Sequence, residues 1–283
     1  MTENKKLLVA GIGELLWDML PSGKRAGGAP VNFVYNTARL GAEGYAVSAV
    51  GRDRLGAEIL EELRRHGIDY CIEEVAYPTG TVQVKLHDGM PSYEIVENVA
   101  WDHLSVTPQA AAIISRADAV CFGTLASRFE ETRRTIAALL AMAPAQALKF
   151  YDINLRKGYY SRELIAALLQ QANAFKINDE EMLVFRELFG YSGSDEDICL
   201  KLIHEYKLRY VVFTAGEKYS IIYDGREKSY LETPKVKVVD TVGAGDAFSG
   251  TFIYHILSGK PLAEAHAAAV ERAARVCEQA GAW

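Results

Sequence analysis

Cysteine is scarce in this chain of 283 residues: Cys71, Cys121, Cys199 and Cys277 lie far apart, with no paired spacing. That pattern gives neither a disulfide framework nor a cysteine metal site, and it points to reduced thiols. The six histidines are scattered, with no His-Glu-x-x-His pair. Long apolar runs are missing too, so no segment reads as a bilayer span. The polar stretch from Met1 to Lys6 passes straight into a strand-like run without a secretory pattern. Positive charge is not in excess. With 31 Lys and Arg against 37 Asp and Glu the formal net charge is −6, which argues against a nucleic-acid or membrane-surface partner. A cytoplasmic metabolic protein is the expectation. No Gly-x-x-x-x-Gly-Lys-Ser/Thr string is present, and Gly11-Ile12-Gly13 lacks the third glycine of a dinucleotide fingerprint, Leu16 standing in its place.

What is present is alternation. Strand-like runs at Leu7 to Ile12, Tyr45 to Val50, Ala119 to Gly123, Ala147 to Ile153, Ala174 to Ile177 and Tyr210 to Phe213 are interleaved with helical patterns. These predict an α/β fold with a mostly parallel central sheet and helices on both faces. A hairpin of Ser220 to Tyr223 and Lys228 to Glu232 follows, and two helices close the chain. Between Ile68 and Val99 the pattern changes to three extended runs: Tyr70 to Ala76, Thr81 to His87 and Ser92 to Val96. The turns Pro78-Thr79-Gly80 and Asp88-Gly89-Met90-Pro91 mark them as antiparallel β. With Leu15 to Leu20, stopped at Pro21-Ser22-Gly23, they predict a small sheet. We therefore expect one α/β domain over 1–283, with a β lid from about 14–24 and 69–100.

The stretch Asp240-Thr241-Val242-Gly243-Ala244-Gly245-Asp246 carries the most chemistry. It follows a β-prone run, Lys235 to Val239, and leads into the apolar Ala247 to Leu257. A strand, a glycine turn and a buried helix starting at Gly243 is the expectation. The N–H groups of Gly243, Ala244 and Gly245 would then lack partners within the helix, and with the helix dipole they form a seat for an anion. Small residues let a phosphate reach the backbone. Asp246 would stand one turn in, beside that seat. A carboxylate there is counterproductive unless it handles a proton, which hints at phosphoryl transfer to a hydroxyl. The plain alternative is a tight loop with a first-turn acid complementing the dipole.

Other polar clusters fall at predicted strand ends, where ligands of open parallel sheets collect. They are Asp152-Ile153-Asn154-Leu155-Arg156, Asn178 with Glu181, and Thr214-Ala215-Gly216. Taken singly, each also reads as a cap or turn. In the N-terminal half, Asp18, Gly27, Gly28 and Asn32 offer a carboxylate, an amide and closely approachable backbone, a set suited to a polyhydroxylated ligand.

The string Asp240–Asp246 resembles the signature of the ribokinase-like, or PfkB, carbohydrate kinases. Gly13-Glu14-Leu15-Leu16-Trp17-Asp18 through Gly27-Gly28-Ala29-Pro30-Val31-Asn32 resembles the family's sugar-binding signature, and Pro78-Thr79-Gly80-Thr81 its lid segment. Asn98-Val99-Ala100-Trp101-Asp102 is similar to the fructokinase-type branch. The resemblance implies an ATP-dependent sugar kinase with a ribokinase-like fold. Asp246 would be the catalytic base and Gly243, Ala244 and Gly245 the anion hole, with Arg156 on the sugar or the phosphoryl group. Asp18, Gly27, Gly28 and Asn32 would bind the sugar. Asn178, Glu181, Thr214 and Gly216 would serve the nucleotide, Glu181 holding Mg²⁺ through water. The resemblance also implies a K⁺ site in the loop beginning at Asp240, in a sequence that reads only to Trp283 where family members usually continue. It makes the lid a candidate homodimer surface. D-fructose, at its 6-position, is the expected acceptor. The alternatives are 2-keto-3-deoxygluconate, ribose or a nucleoside, and, in another class, a sugar-binding sensor without turnover.

Overall fold

The computed structural model describes residues 6–283 apart from 22, 88–89 and 157, and only the backbone over 84–93. The expected turn residues Asp88 and Gly89, Ser22, and the tail through Lys5 lie outside the described residues. Thirteen strands and nine α-helices are described. In the first half they are β1 (Leu8–Ile12), β2 (Leu16–Leu20), β3 (Gly23–Gly27), α1 (Ala29–Ala38), β4 (Glu43–Gly51), α2 (Arg54–Arg65), β5 (Asp69–Val75), β6 (Gly80–His87), β7 (Met90–Ile95) and α3 (Pro108–Ile114). Then come β8 (Ala119–Gly123), α4 (Glu130–Met142), β9 (Leu148–Asp152), α5 (Arg162–Leu169), β10 (Ala174–Asn178), α6 (Asp179–Phe189), α7 (Asp195–Tyr206), β11 (Tyr210–Thr214), β12 (Tyr219–Tyr223), β13 (Lys228–Glu232), α8 (Ala244–Leu257) and α9 (Leu262–Cys277).

Nine strands form the central sheet in the order β13-β12-β11-β10-β9-β8-β1-β4-β5, parallel except for β12 near one edge, which pairs antiparallel with both β11 and β13. Strands β1 and β8 are buried at every residue, as their unbroken apolar runs require when helices cover both faces. Two hydrophobic clusters, one around Trp101, Tyr151 and Phe175 and the other around Phe33, Phe150 and Phe252, make the core. Chain order reverses between β1 and β8. That switch point places the C-terminal ends of β1, β8, β9 and β10 around one crevice.

Two expectations are corrected. Tyr70 to Ala76 was expected in the lid, but β5 pairs in parallel with β4 at the edge of the central sheet. Its place in the four-stranded sheet β3-β2-β6-β7 is taken by β3, a strand the sequence reading did not mark, and β2 pairs in parallel with β6. Alternation identifies a strand but not its partner. Second, Lys235 to Val239 forms no strand. The β12–β13 hairpin already closes that edge, and the backbone N–H of Val239 donates to the Cys277 carbonyl at the end of α9 instead (2.8 Å). Val238 and Val239 are left about 60% exposed. Among the described residues no helix is long and apolar enough to cross a membrane.

Candidate active site

The site is built at the start of α8. Gly243 is its N-cap in the left-handed region (φ 78°), and a side chain there would also collide with Ala282. The first intrahelical bond runs from Ala247 N–H to the Gly243 carbonyl (2.8 Å). The unpaired N–H groups of the first turn are therefore those of Ala244, Gly245 and Asp246, one residue later than the sequence suggested. Ala244 N–H reaches back to the Thr241 carbonyl at 3.2 Å, so Gly245 and Asp246 are the freer donors.

Asp246 is joined to the other half of the chain by side chains 214 residues apart: Asn32 Nδ2 donates to Asp246 Oδ2 at 2.7 Å. Asn32 lies in the first turn of α1, set by the Gly27-Gly28-Ala29-Pro30 turn. Gly28 takes φ 129°, and a Cβ there would strike the Glu14 carbonyl. The indole Nε1 of Trp283 donates to the other end of the amide, Asn32 Oδ1, at 2.6 Å. This bond assigns the oxygen to Trp283 and the NH₂ to Asp246.

A cleft of about 770 Å³ runs over this pair. Its lining includes Asp18, Gly27, Gly28, Asn32, Arg156, Asn178, Glu181, Gly243, Gly245 and Asp246. Thr214 and Gly216 are not in that lining. Thr214 stands beside Asn178 in the sheet register, and the Gly216 carbonyl accepts from Thr233 Oγ1. Asp240 belongs to an adjoining cleft that shares Asp18 and Ala282 with the first.

Burial dominates the electrostatics here. It pushes the Asp246 carboxyl up to about 6, with the Asp152 carboxylate adding to the effect and the Asn32 bond, Lys176 and Arg156 opposing it. Burial and Asp152 together thus outweigh the groups that lower it. Burial likewise raises Glu14 to about 7 and raises Asp18 and Glu181. Glu14 Oε1 accepts from Ala29 N–H at 3.3 Å, while Oε2 has no partner among the described residues.

Sequence reasoning gave no role to Glu14, Lys176, Ser249 or Trp283. The one available signal was Lys176, a lone lysine inside the apolar run of β10, where an unpaired charge does not survive burial. Its ammonium pairs with Asp152 on β9 at 2.9 Å, and Ser249 Oγ lies 3.5 Å from the same carboxylate.

A divalent ion fits this site only through intermediaries. Among the described residues no three His, Cys, Asp or Glu side chains converge on one point. The two Glu181 oxygens already accept from Leu155 N–H and Asn178 N–H, both at 2.9 Å, leaving lone pairs for water. The Asp240 carboxylate, where the expected K⁺ loop begins, is already engaged. One oxygen accepts from Val242 N–H (3.0 Å), and the other from Gly281 N–H (3.1 Å) and the Arg25 guanidinium (3.0 Å). That cation already neutralises it.

A crevice at the switch point of a parallel sheet, with a carboxylate at a helix start, defines a ribokinase-like α/β protein. Residues 22–283 match the model of the pfkB family carbohydrate kinases, and the chain belongs to that family. It is 27% identical to an ATP-dependent 6-phosphofructokinase of Thermoanaerobacterium thermosaccharolyticum, over 92% of this chain and 84% of the relative. It is 28% identical to a fructokinase of Escherichia coli, over 84% of this chain and 80% of the relative. An uncharacterized sugar kinase of Pyrococcus horikoshii, solved in complex with ATP, superposes with a TM-score of 0.80 at 26% identity, covering 98% of this chain and 94% of that one.

Proposed function

We propose that this sugar kinase transfers the γ-phosphoryl group of ATP to a primary hydroxyl of its acceptor, D-fructose at the 6-position being the reading to test first. The observation that carries it is the Asn32–Asp246 hydrogen bond at the floor of a cleft that also holds Asp18 and the start of α8. Asp18, the Gly27–Gly28 backbone and Asn32 bind the sugar hydroxyls. Asp246 accepts the proton of the attacking hydroxyl as its oxygen bonds phosphorus and the bond to the leaving ADP oxygen breaks. The transition state is loose, so positioning carries most of the rate. The N–H groups of Gly245 and Asp246 and the Arg156 guanidinium meet the phosphoryl charge. Asn178 and Glu181 face the nucleotide phosphates and would hold Mg²⁺ there through water; the ion would supply further neutralisation of the phosphate charge. Closure of β2, β3, β6 and β7 over the sugar excludes water.

The test is an ADP-coupled assay against D-fructose, fructose 6-phosphate, 2-keto-3-deoxygluconate, ribose and a nucleoside. Fructose 6-phosphate is included because of the phosphofructokinase relative. Turnover on D-fructose above the others is expected; a flat response to all five leaves only the sensor reading.

Trp283→Phe gives a smaller, specific prediction. It keeps the ring packing against Tyr35 and His66 but removes the N–H that orients Asn32. One neutral hydrogen bond is worth about 0.5–1.5 kcal/mol. The KM for sugar is therefore expected to rise about 2- to 10-fold, with the fold unchanged by circular dichroism.

A further inference from the structure

We propose that Lys176 is a catalytic residue of the transfer, its ammonium contacting the phosphoryl group through the opening that Gly245 leaves at the start of α8. The proposal rests on the phosphotransfer reading above and adds a group to it.

Lys176 lies in the middle of β10, 7% exposed, opposite Asp152 in the parallel register with β9. Its Nζ donates to Asp152 Oδ1 at 3.0 Å and Oδ2 at 2.9 Å. An ammonium has three N–H groups; among the described residues the third meets no acceptor. That remaining donor is near α8, because Nζ lies 3.4 Å from the position a Cβ on Gly245 would occupy. Lys176 also lines the cleft together with Gly243, Gly245 and Asp246. Gly245, one of the two freer donors at the helix start, therefore has a buried cation beside it.

Two further facts argue that this cation is more than a structural pin. Gly245 is inside the helix and does not take a positive φ, so its backbone conformation does not call for glycine. Alanine would be the better helix former there. Besides letting a phosphate approach the backbone, glycine leaves the side of the helix start that faces the ammonium uncovered. Second, a buried ion pair is seldom worth more than apolar side chains of the same volume, which makes a charge at this depth costly unless something outside the pair uses it. Burial by itself would lower the Lys176 pKa, but Asp152 and Glu181 outweigh it and the net shift is upward, so the ammonium is charged throughout the neutral range. Asp152 is the positioning partner: it holds two of the three N–H groups and so aims the third.

The decisive variant removes both charges at once. In Lys176→Met/Asp152→Asn no buried ion is left alone, so the melting temperature is expected to remain near that of the wild type. Turnover is expected to stay about 10²-fold down, the typical loss when one donor to a developing anion is removed, with KM for the sugar little changed. If the pair were structural only, the double variant would recover kcat to within about threefold of wild type, the scale of ordinary neighbour effects, and that recovery overturns the proposal. Gly245→Ala is the second variant, for the case in which the double one does not fold. Its methyl covers the ammonium while improving helix propensity. We expect kcat to fall about tenfold or more with an unchanged or higher melting temperature, and unchanged kcat overturns the proposal. Wild-type protein inactive on every acceptor would instead sink the phosphotransfer reading itself.

Discussion

Asp246→Asn is expected to lower kcat by about 10²- to 10⁴-fold, the usual loss when a general base is removed, while sugar affinity stays near that of the wild type. Asparagine keeps the shape of the side chain, and its carbonyl oxygen can still accept from Asn32 Nδ2, the bond that in the wild type runs at 2.7 Å. The proposed acceptor subsite of Asp18, Gly27 and Gly28 is not altered. Kinetics and calorimetry of sugar binding separate the two effects. Near-normal turnover in a folded variant would remove Asp246 from its role.

The pH dependence follows from the raised carboxyl. With Asp246 pushed up to about 6 by burial and Asp152, kcat/KM should fall as pH drops through about 6, because protonated Asp246 cannot take the hydroxyl proton. Glu14, raised to about 7 in the same cleft, broadens that limb, since coupled groups titrate as a pair. Stability moves the opposite way. The folded pKa lies above the ordinary aspartate value, so the folded state binds more protons between about 4 and 6. Folding stability from this group is fully present below that window and is lost as pH rises through it. Asp246→Asn avoids the loss, so its melting temperature should overtake the wild type's as pH is raised from 4 to 7. A variant that gains stability while losing turnover marks a buried charge kept for chemistry.

The contrast between what could and could not be read in advance has a physical basis. Asp246, Asn32 and Asp18 were legible because each belongs to a short string whose residue types imply a geometry, such as a helix start or a tight turn. The alternating strands and helices were legible because burial on two faces writes an apolar run into each strand. Partner choice was not. The edge position of β5, the loop at Lys235 to Val239 and the strand β3 depend on which ladder is free elsewhere. The same holds for charges: Lys176 and Asp152 are 24 residues apart and meet only because β9 and β10 are in register. Trp283 reaches Asn32 across 251 residues, a contact no local pattern encodes.

The largest stability effect is expected at Arg128, beneath the small sheet. Its guanidinium meets Asp102 in a bidentate pair (2.8 and 2.7 Å), with both side chains almost fully buried, and also donates to the Val96 carbonyl at 2.7 Å. It lies 4.1 Å above the Trp101 ring. Trp101 is itself in contact range of Gly80 at the start of β6, where a Cβ would collide with the indole. The cluster thus ties the segment after β7 to the turn before α4 and fixes the base of the small sheet. Arg128→Ala leaves the Asp102 carboxylate buried without its counter-ion, which typically costs about 3–5 kcal/mol. For a chain of this size each kcal/mol shifts the melting temperature by about 2–4 °C, so a fall of about 6–20 °C is expected. Arg128→Met with Asp102→Asn removes both charges and should recover most of that loss, because the penalty is for the stranded ion more than for the missing bond. Denaturant titration of both variants is the check. A loss below about 1 kcal/mol in Arg128→Ala, the range of exposed pairs, would show that water reaches Asp102 and that this cluster does not anchor the small sheet.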